Sequence, residues 1–290
     1  MKRLPPMIEK NFSLQCLNSY CLPGTAEYFY RYHSEDELSD ILRWARRKDI
    51  PLHILGGGSN ILISRPFIEG LVIHMGPLFL NRKGQTLLAG SGVDTSLAVL
   101  HAWHHSLSGA EFLYGLPGNL GGALFMNARA YDRSMSDIIL SAKVMDETGE
   151  VFWVDKSDMA FGYKDSVFQH RPWAILAMLF QLQKGDKESI RKEMTRCIDI
   201  RRTKGHYDFP SCGSVFKNPY EAGIPAGKLV EELSLKGKRA GGAEIFSKHG
   251  NFIVNRDSAC AEDILKLLEI IRQEAREKRG IILTPEVDIW

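Results

Sequence analysis

Leu55-Gly56-Gly57-Gly58-Ser59-Asn60 lies between two short apolar segments. Apolar residues alternate over residues 50–54 and run together over residues 61–63, which predicts a strand on each side of a loop. Three consecutive glycines let the backbone adopt positive φ and bring bare N–H groups close to a ligand. Ser59 and Asn60 add side-chain donors for anionic oxygens. The stretch therefore favours a pyrophosphate-binding loop, although an ordinary glycine-rich hairpin turn fits these six residues equally well.

Two common phosphate-binding motifs do not fit this loop. A P-loop ends in Gly-Lys-Ser/Thr, whereas this loop ends in Gly-Ser-Asn. A Rossmann loop opens a helix, whereas β-branched apolar residues and then Arg65-Pro66 follow here. We therefore predict that loop amides hold the phosphates without a helix dipole, in a fold other than the usual dinucleotide-binding one.

The composition narrows the class of protein. At 290 residues, 44% of them hydrophobic and 25% charged, the chain is long enough for about two soluble globular domains. A net charge of +2 gives no reason to expect nucleic acid or an anionic membrane as a partner. Five scattered cysteines lack metal or disulfide spacing and favour a reducing, cytoplasmic location. Residues 1–11 lack the apolar core of a signal peptide, and the longest uncharged run, residues 172–183, is too short to cross a bilayer.

Periodicity and capping signals predict the main elements. The predicted helices are one capped at residues 34–37, one that begins at Asp94-Thr95-Ser96 and runs to about Ser108, a connecting helix that ends at Arg201-Arg202, a short helix over residues 226–235, and a long last helix from Ser258 to Gly280. The predicted strands are a hairpin over residues 144–151, a buried strand over residues 174–180, a strand pair over residues 243–255 and an extended tail over residues 281–290.

Three histidines on the second predicted helix raise the question of a metal site. His101 and His105 share a face at i, i+4, with His104 beside them. Because no carboxylate follows in a zincin pattern, we expect no metal there.

Two further loops concentrate groups suited to ligand binding. Residues 115–122 form a second glycine cluster, and we predict that the two clusters grip opposite ends of one large ligand. Residues 210–219 are crowded with hydroxyl, amide and ammonium groups. Lys228, near the start of a predicted helix, opposes the helix dipole and is useful there if an anion lies nearby. Glu286 interrupts the extended tail and is either an exposed strand residue or part of a site.

Taken together, these stretches resemble the UDP-N-acetylenolpyruvoylglucosamine reductases, the flavoenzymes of bacterial peptidoglycan synthesis. The resemblance spans nearly the whole chain in the family's order, over residues 55–60, 115–131, 210–219, 224–229, 249–255 and 285–287. The short distance between Gly185 and Pro210 is similar to the shorter type of this family, which lacks an inserted tyrosine-bearing loop.

The resemblance implies an α+β fold. It consists of a two-lobed FAD-binding module of the vanillyl-alcohol-oxidase class and a C-terminal α+β substrate domain. The corresponding division of this chain is a module over residues 1–185, with lobes of about 1–75 and 76–185, then a connecting helix over 186–204, a substrate domain over 205–280 and a tail over 281–290 that returns to the first module.

The reaction that the resemblance implies has two halves. NADPH reduces non-covalently bound FAD, and UDP-N-acetylglucosamine enolpyruvate then takes the place of NADP⁺. Flavin N5 delivers hydride to the terminal enolpyruvyl carbon, and a protein acid protonates the adjacent carbon.

The resemblance also assigns catalytic residues. Ser214 matches the proton donor, with Lys217 as a neighbour that could acidify it, although a loop-capping role for its hydroxyl stays open. Glu286 matches the glutamate beside the substrate carboxylate and enolate; if it is protonated, it can donate a hydrogen bond, which requires burial.

The third catalytic position departs from the family, because Lys164 stands where arginine is usual in Tyr-Arg-Asp-Ser. Lysine keeps the positive charge but loses the two-pronged geometry. The family also prefers glycine at positions 129 and 132, where this chain has Arg129 and Asp132. Arg129 either supplies a guanidinium near the site or points outward from a surface loop.

The remaining site residues divide by ligand. For FAD we predict Gly56, Gly57, Gly58, Ser59 and Asn60 on the pyrophosphate, with Pro117, Gly118, Gly121 and Gly122 on the second side. For the UDP-sugar we predict Asn218, Lys217 and Lys228, the last because a diphosphate favours cations.

Two other functions remain open at this stage. Another FAD oxidase or dehydrogenase of the same flavin-binding class would keep both glycine clusters without needing Ser214 and Glu286. A flavin-binding protein without turnover would explain the departures at positions 129 and 164, but not the presence of Ser214 and Glu286.

Overall fold

The structure is a computed structural model that describes residues 4–290. The helices within these residues are α1 (Glu35–Arg47), α2 (Thr95–His104), α3 (Leu120–Phe125), α4 (Lys187–Thr203), α5 (Ala226–Glu232) and α6 (Ala261–Arg279). The strands are β1 (Glu9–Ser13), β2 (Thr25–Arg31), β3 (Leu52–Leu55), β4 (Ile61–Leu62), β5 (Phe67–His74), β6 (Leu80–Lys83), β7 (Thr86–Gly90), β8 (Leu107–Ser108), β9 (Arg129–Ala130), β10 (Arg133–Ser134), β11 (Ile139–Met145), β12 (Val151–Asp155), β13 (Ala174–Gln181), β14 (Gln183–Lys184), β15 (Arg239–Ala240), β16 (Ala243–Ile245), β17 (Ile253–Asn255) and β18 (Asp288–Ile289). Across residues 4–290, no helix combines the length and the apolar character needed to cross a bilayer.

The described chain divides into two compact units. The first contains residues 4–12, Ala26–Gly57 and Glu69–Asp199, and the second contains Ser13–Thr25, Gly58–Ile68 and Ile200–Trp290. The division into domains over residues 1–185, 186–204, 205–280 and 281–290 stays a prediction.

A four-stranded sheet in the first unit positions the first glycine loop. Its strand order is β1-β2-β5-β3, and β3 runs parallel to β5 with Leu52 opposite Leu71. Helix α1 buries Leu38 and Ile41 in the same apolar cluster as Leu71, as the predicted apolar stripe requires. Because β3 ends at Leu55, this sheet fixes the point at which the glycine loop begins.

A five-stranded antiparallel sheet forms the other core of the first unit. Its order is β12-β11-β13-β7-β6, and the β11–β12 hairpin closes with Met145 opposite Val151, as the sequence predicted. The central strand β13 is buried along most of its length. Helices α2 and α3 contribute Val99 and Leu124 to the same core, so the second glycine cluster enters α3 against this sheet.

The second unit has a smaller sheet and two helices. Strands β15, β16 and β17 are antiparallel neighbours, with Ile245 opposite Ile253. Leu229 of α5 and Leu267 of α6 are fully buried in its core. The extended tail ends in β18, which pairs in parallel with β4 immediately after the first glycine loop.

The structure corrects three helix ends, and left-handed backbone accounts for each. Helix α2 stops at His104 rather than near Ser108, because Ser106 has φ 55° and the next two residues form β8. Helix α5 stops at Glu232 rather than residue 235, because Ser234 has φ 57°. The N-cap of α6 is Cys260. Ser258, which the sequence predicted as the cap, has φ 55° instead. A serine at such a position carries no sequence signal, since positive φ is uncommon outside glycine.

Candidate active site

The first glycine loop requires glycine at position 58. Gly58 has φ 63°, and a Cβ there would overlap the carbonyl oxygen of Leu17. The N–H of Ser19 donates to the Gly58 carbonyl at 3.0 Å, which fixes the loop against this neighbouring segment. The loop therefore has one defined backbone path, and only glycine follows it without strain.

The two glycine clusters lie against each other. A Cβ on Gly57 would be 2.7 Å from Gly118 Cα, and a Cβ on Gly56 would be 2.8 Å from Asn119 Oδ1. Both separations are shorter than a Cβ normally makes, so Gly57 allows contact with the backbone of Gly118, and Gly56 leaves room for the side chain of Asn119. The sequence led us to expect clusters at opposite ends of a ligand; along this stretch they instead form adjoining parts of one surface.

The backbone N–H groups of the first loop suit an anion. Among the described residues, Gly57, Gly58 and Ser59 donate these groups to no protein acceptor. Successive N–H groups in a glycine-rich turn form the kind of concavity that binds phosphate oxygens. Strand β4 follows the loop, as predicted, so no helix begins there. The residues present therefore fit the pyrophosphate of a dinucleotide such as FAD.

The second cluster uses its N–H groups within the fold. The N–H of Gly121 donates to Ser91 O at 2.9 Å, and that of Gly122 donates to Asn119 Oδ1 at 3.0 Å. A Cβ on Gly121 would be 2.8 Å from Ser91 Cβ, so this glycine permits close packing. Ser91 also has a buried hydroxyl without a hydrogen-bond partner among the described residues. Nothing in the sequence marks Ser91 as a candidate site residue. Only its position beside the second glycine cluster in the folded chain does so.

Ser214 and Glu286 lie on neighbouring extended segments of the second unit. Ser214 forms an isolated antiparallel bridge with Phe252, and Phe216 forms one with Pro285. The Glu286 N–H donates to Val215 O at 2.8 Å. Both predicted catalytic side chains are half-buried. Residues separated by most of the second unit's sequence are thus brought together by backbone pairing.

The three predicted substrate residues adjoin this segment and α5. The Lys217 N–H donates to Thr284 O at 2.9 Å, which holds Lys217 beside the tail. Asn218 Oδ1 accepts the Ala226 N–H at 3.0 Å and so ties this loop to the first residue of α5. Lys228 is exposed on α5. Part of the Asn218 side chain is therefore committed to the fold in addition to any ligand.

Lys164 belongs to the first unit and lies in a tight turn. The Gly162 N–H donates to Asp165 O at 3.1 Å, and Lys164 between them has φ 56° and is half-buried. Gln169 Nε2 donates to the Lys164 carbonyl at 3.2 Å. These bonds fix the backbone from which the lysine side chain extends.

Arg129 and Asp132, where the resemblance led us to expect glycine, are exposed residues of one surface loop. Arg129 is exposed and pairs with Asp132 at 3.4 Å, which agrees with the alternative of an outward-pointing loop. Asp132 has φ 58°, the conformation that glycine adopts most readily. Asp132 therefore adopts a backbone conformation that residues other than glycine seldom take.

Two histidines of the second unit lie beside the Ser214 segment. The His206 and His249 rings are 4.6 and 4.3 Å from the ring of Phe252, the residue that pairs with Ser214. Burial, followed by the positive charge of Arg201, lowers the pKa of His206 to about 3. Burial, followed by the charge of Lys204, lowers the pKa of His249 to about 4. Both rings are therefore neutral near pH 7. Their proximity could not be found from a sequence in which they are far apart.

The histidines of α2 are neighbours, as the helical spacing predicted. The ring centroids of His101 and His105 are 4.8 Å apart, and those of His104 and His105 are 5.1 Å apart. Within residues 4–290, no three or more His, Cys, Asp or Glu side chains are placed to hold a metal ion.

Comparisons with known proteins identify both parts of the chain. A family model described as "FAD binding domain" matches residues 26–155, and one described as "UDP-N-acetylenolpyruvoylglucosamine reductase, C-terminal domain" matches residues 205–290. UDP-N-acetylenolpyruvoylglucosamine reductase of Caldanaerobacter subterraneus subsp. tengcongensis is 37% identical over 272 residues, which cover 93% of this chain and 89% of the relative. The reductase of Synechococcus sp. is 37% identical over 298 residues, covering 99% and 92%.

A solved structure agrees with these matches. The crystal structure of UDP-N-acetylenolpyruvylglucosamine reductase from Thermus caldophilus is similar at a TM-score of 0.82 and 30% identity, and the similarity covers 98% of each chain. The predicted α+β fold, with an FAD-binding part and a distinct C-terminal part, is confirmed. The chain therefore carries an FAD-binding domain and belongs to the UDP-N-acetylenolpyruvoylglucosamine reductase family.

Proposed function

We propose that the protein is an NADPH-dependent flavoenzyme that reduces UDP-N-acetylglucosamine enolpyruvate to UDP-N-acetylmuramate. One observation carries this proposal beyond family membership. Ser214 and Glu286, to which we assign the roles of proton donor and of the glutamate beside the enolate, lie on hydrogen-bonded neighbouring segments, and this supports the proposal. An FAD enzyme acting on another substrate would have no need for this pair.

The glycine loop would hold the cofactor. The N–H groups of Gly57, Gly58 and Ser59 would bind pyrophosphate oxygens, with the side chain of Asn60 beside them. The contact of Gly57 with Gly118 would keep this loop fixed when the anion binds. Bound FAD supplies hydride-transfer chemistry to the double bond of the substrate.

Side chains of the protein would donate the proton and stabilise the negative charge that develops on the substrate. When hydride adds to the terminal enolpyruvyl carbon, electron density builds up on the adjacent carbon and on the substrate carboxylate. The Ser214 hydroxyl would donate its proton to that adjacent carbon. Glu286, if protonated, would donate a hydrogen bond to the enolate, and the ammonium group of Lys164 would stabilise the same charge. Lys217 and Lys228 would attract the diphosphate of the UDP-sugar.

The same proposal covers partners and location. The small-molecule partners are NADPH and the UDP-sugar. All five cysteines are free, which supports a reducing compartment and hence the cytoplasm.

Anaerobic flavin spectroscopy tests the proposal. NADPH should bleach the oxidised flavin of the purified holoenzyme, and UDP-N-acetylglucosamine enolpyruvate should then restore its absorbance with formation of product. Ser214→Ala should keep the first step and slow the second by about 10²–10⁴-fold, the usual contribution of general acid catalysis. Ser247→Ala, an exposed serine between β16 and β17, is the matched control. Flavin that is reduced by NADPH but ignores the enolpyruvyl sugar would indicate a related FAD enzyme with another substrate.

A further inference from the structure

The side chain of Asn251 continues the pairing of the Ser214 segment. Asn251 is 3% exposed and precedes Phe252, the partner of Ser214. Its backbone carbonyl accepts the Val215 N–H at 2.9 Å. Its side-chain Oδ1 accepts the Phe216 N–H at 3.1 Å, and its Nδ2 donates to the Phe216 carbonyl at 2.8 Å. The carboxamide therefore acts as an extra peptide unit at the end of the backbone pairing.

Backbone pairing alone leaves Phe216 without these two hydrogen bonds. On the tail side, the bonds run from Glu286 N–H to Val215 O and from Lys217 N–H to Thr284 O, on either side of Phe216. Phe216 and Pro285 are therefore a non-hydrogen-bonded pair, in which the N–H and C=O of Phe216 make no bond to the tail. Phe216 is fully buried, so water cannot replace the missing partners. Without the Asn251 carboxamide, both backbone groups of Phe216 would be buried and unsatisfied, which is costly.

We propose that Asn251 is a positioning residue for protonation of the substrate. It holds the segment over residues 214–217 through Phe216, and that segment in turn holds Glu286 through Val215. One side chain thus fixes the backbone of the proton donor and, through it, the backbone of the glutamate. The inference rests on the proposed function, since it concerns the step that Ser214 performs. Hydride transfer from NADPH to the flavin needs no proton from Ser214, so the inference concerns only the second half-reaction.

Asn255 offers a matched control on the same stretch of chain. Its Nδ2 donates to Tyr20 O at 2.9 Å, and its Oδ1 accepts the Ala259 N–H at 2.8 Å. It therefore makes the same two kinds of hydrogen bond as Asn251. It bonds to neither the 214–217 segment nor the tail among the described residues. Asn255→Ala removes a comparable amide without releasing Ser214.

The experiment measures the two half-reactions separately by stopped-flow absorbance of the holoenzyme. For Asn251→Ala, the rate of flavin reduction by NADPH should stay within twofold of wild type. Its reoxidation by saturating UDP-N-acetylglucosamine enolpyruvate should fall at least tenfold, because a displaced donor lowers kcat and extra substrate does not restore it. Asn255→Ala should be reoxidised at a rate close to that of wild type. Asn251→Asp, which keeps the size and the acceptor but loses the donor, should behave like Asn251→Ala and serves if the alanine variant does not fold.

The outcomes separate this inference from the proposed function. If the enolpyruvyl sugar reoxidises the wild-type flavin, and the flavin of the Asn251 variants equally fast, only this inference is overturned. An equal slowing of reoxidation in Asn255→Ala would also overturn it, since that result would show a general loss of stability. A wild-type flavin that the enolpyruvyl sugar does not reoxidise would overturn the proposed function and this inference with it.

Discussion

Replacing Gly57 with alanine tests the contact between the two glycine clusters. The added Cβ would be 2.7 Å from Gly118 Cα and 3.0 Å from the Asn119 nitrogen. Both neighbours are backbone atoms, so no side-chain rotation can relieve the overlap. Since carbon atoms in contact lie about 3.5–4.0 Å apart, one loop must move by about 1 Å.

The cost of that movement can be estimated and assigned to a measurement. Overpacking of this kind costs about 1–3 kcal/mol. If the first loop moves, the cost appears in FAD binding as a roughly 5- to 140-fold rise in Kd. If the loop stays, the cost appears in the free energy of unfolding of the apoprotein. Flavin fluorescence titration measures the first quantity, and chemical denaturation measures the second.

Gly227→Ala is the control for this experiment. Gly227 lies on α5, and its added Cβ would meet its nearest neighbour, His249 Cε1, at 3.4 Å. Alanine there also suits a helix better than glycine does, so FAD affinity and stability should be retained. A Gly57→Ala protein whose FAD Kd and unfolding free energy both match wild type would refute the close contact of the two clusters.

Three further predictions address other parts of the chain. Lys164→Arg should preserve or raise kcat in steady-state assays, because arginine keeps the charge and adds two-pronged geometry; a large loss would contradict the role given to Lys164. Burial lowers the pKa of His206 from 6.5 to about 3, so this ring does not oppose folding above pH 6.5. As the pH falls from 6.5 towards 3, the unfolded chain gains a proton at this residue that the folded chain does not, and stability decreases over that range. Chemical denaturation between pH 6.5 and 4 should therefore show a smaller loss of stability in His206→Phe than in wild type, and identical slopes would count against burial of this ring. Leu267→Ala should lower the unfolding free energy by about 2–5 kcal/mol, and Leu265→Ala, at a partly buried position, by less.

Local signals were enough to predict much of the fold. The capping residues before α1 predicted its start, because Ser34 Oγ accepts the Glu37 N–H at 3.2 Å as the pattern required. Alternating apolar residues predicted β3, and a continuous apolar run predicted the strand after the loop. The helix ends near Ser106, Ser234 and Ser258 could not be predicted, because each serine adopts a positive φ that its residue type does not signal.

The candidate site was predictable to a different extent. Gly58 could be recognised from its loop, but the contact of Gly57 with Gly118 depends on how two distant segments pack. The roles proposed for Ser214 and Glu286 came from resemblance to a family, since a lone serine and a lone glutamate carry no local signal. Asn251 was part of a matching stretch, yet its bonds to Phe216 exist only in the folded chain. The assigned roles of these residues in catalysis and cofactor binding stay predictions.

The pairing of β4 with β18 has a consequence for synthesis of the protein. Asn60 Nδ2 donates to the carbonyl of Glu286, 226 residues later in the chain, and β4 takes its parallel partner from the same tail. At translation rates of about 5–20 residues per second, the ribosome needs roughly 11–45 s to make the chain between them. During that interval the buried strand after the glycine loop has no edge to join, and contacts of such long range also form slowly in refolding. Strand β4 therefore gains its parallel partner only after the tail has been synthesised, and until then its apolar residues lack the edge that they pair with in the folded chain.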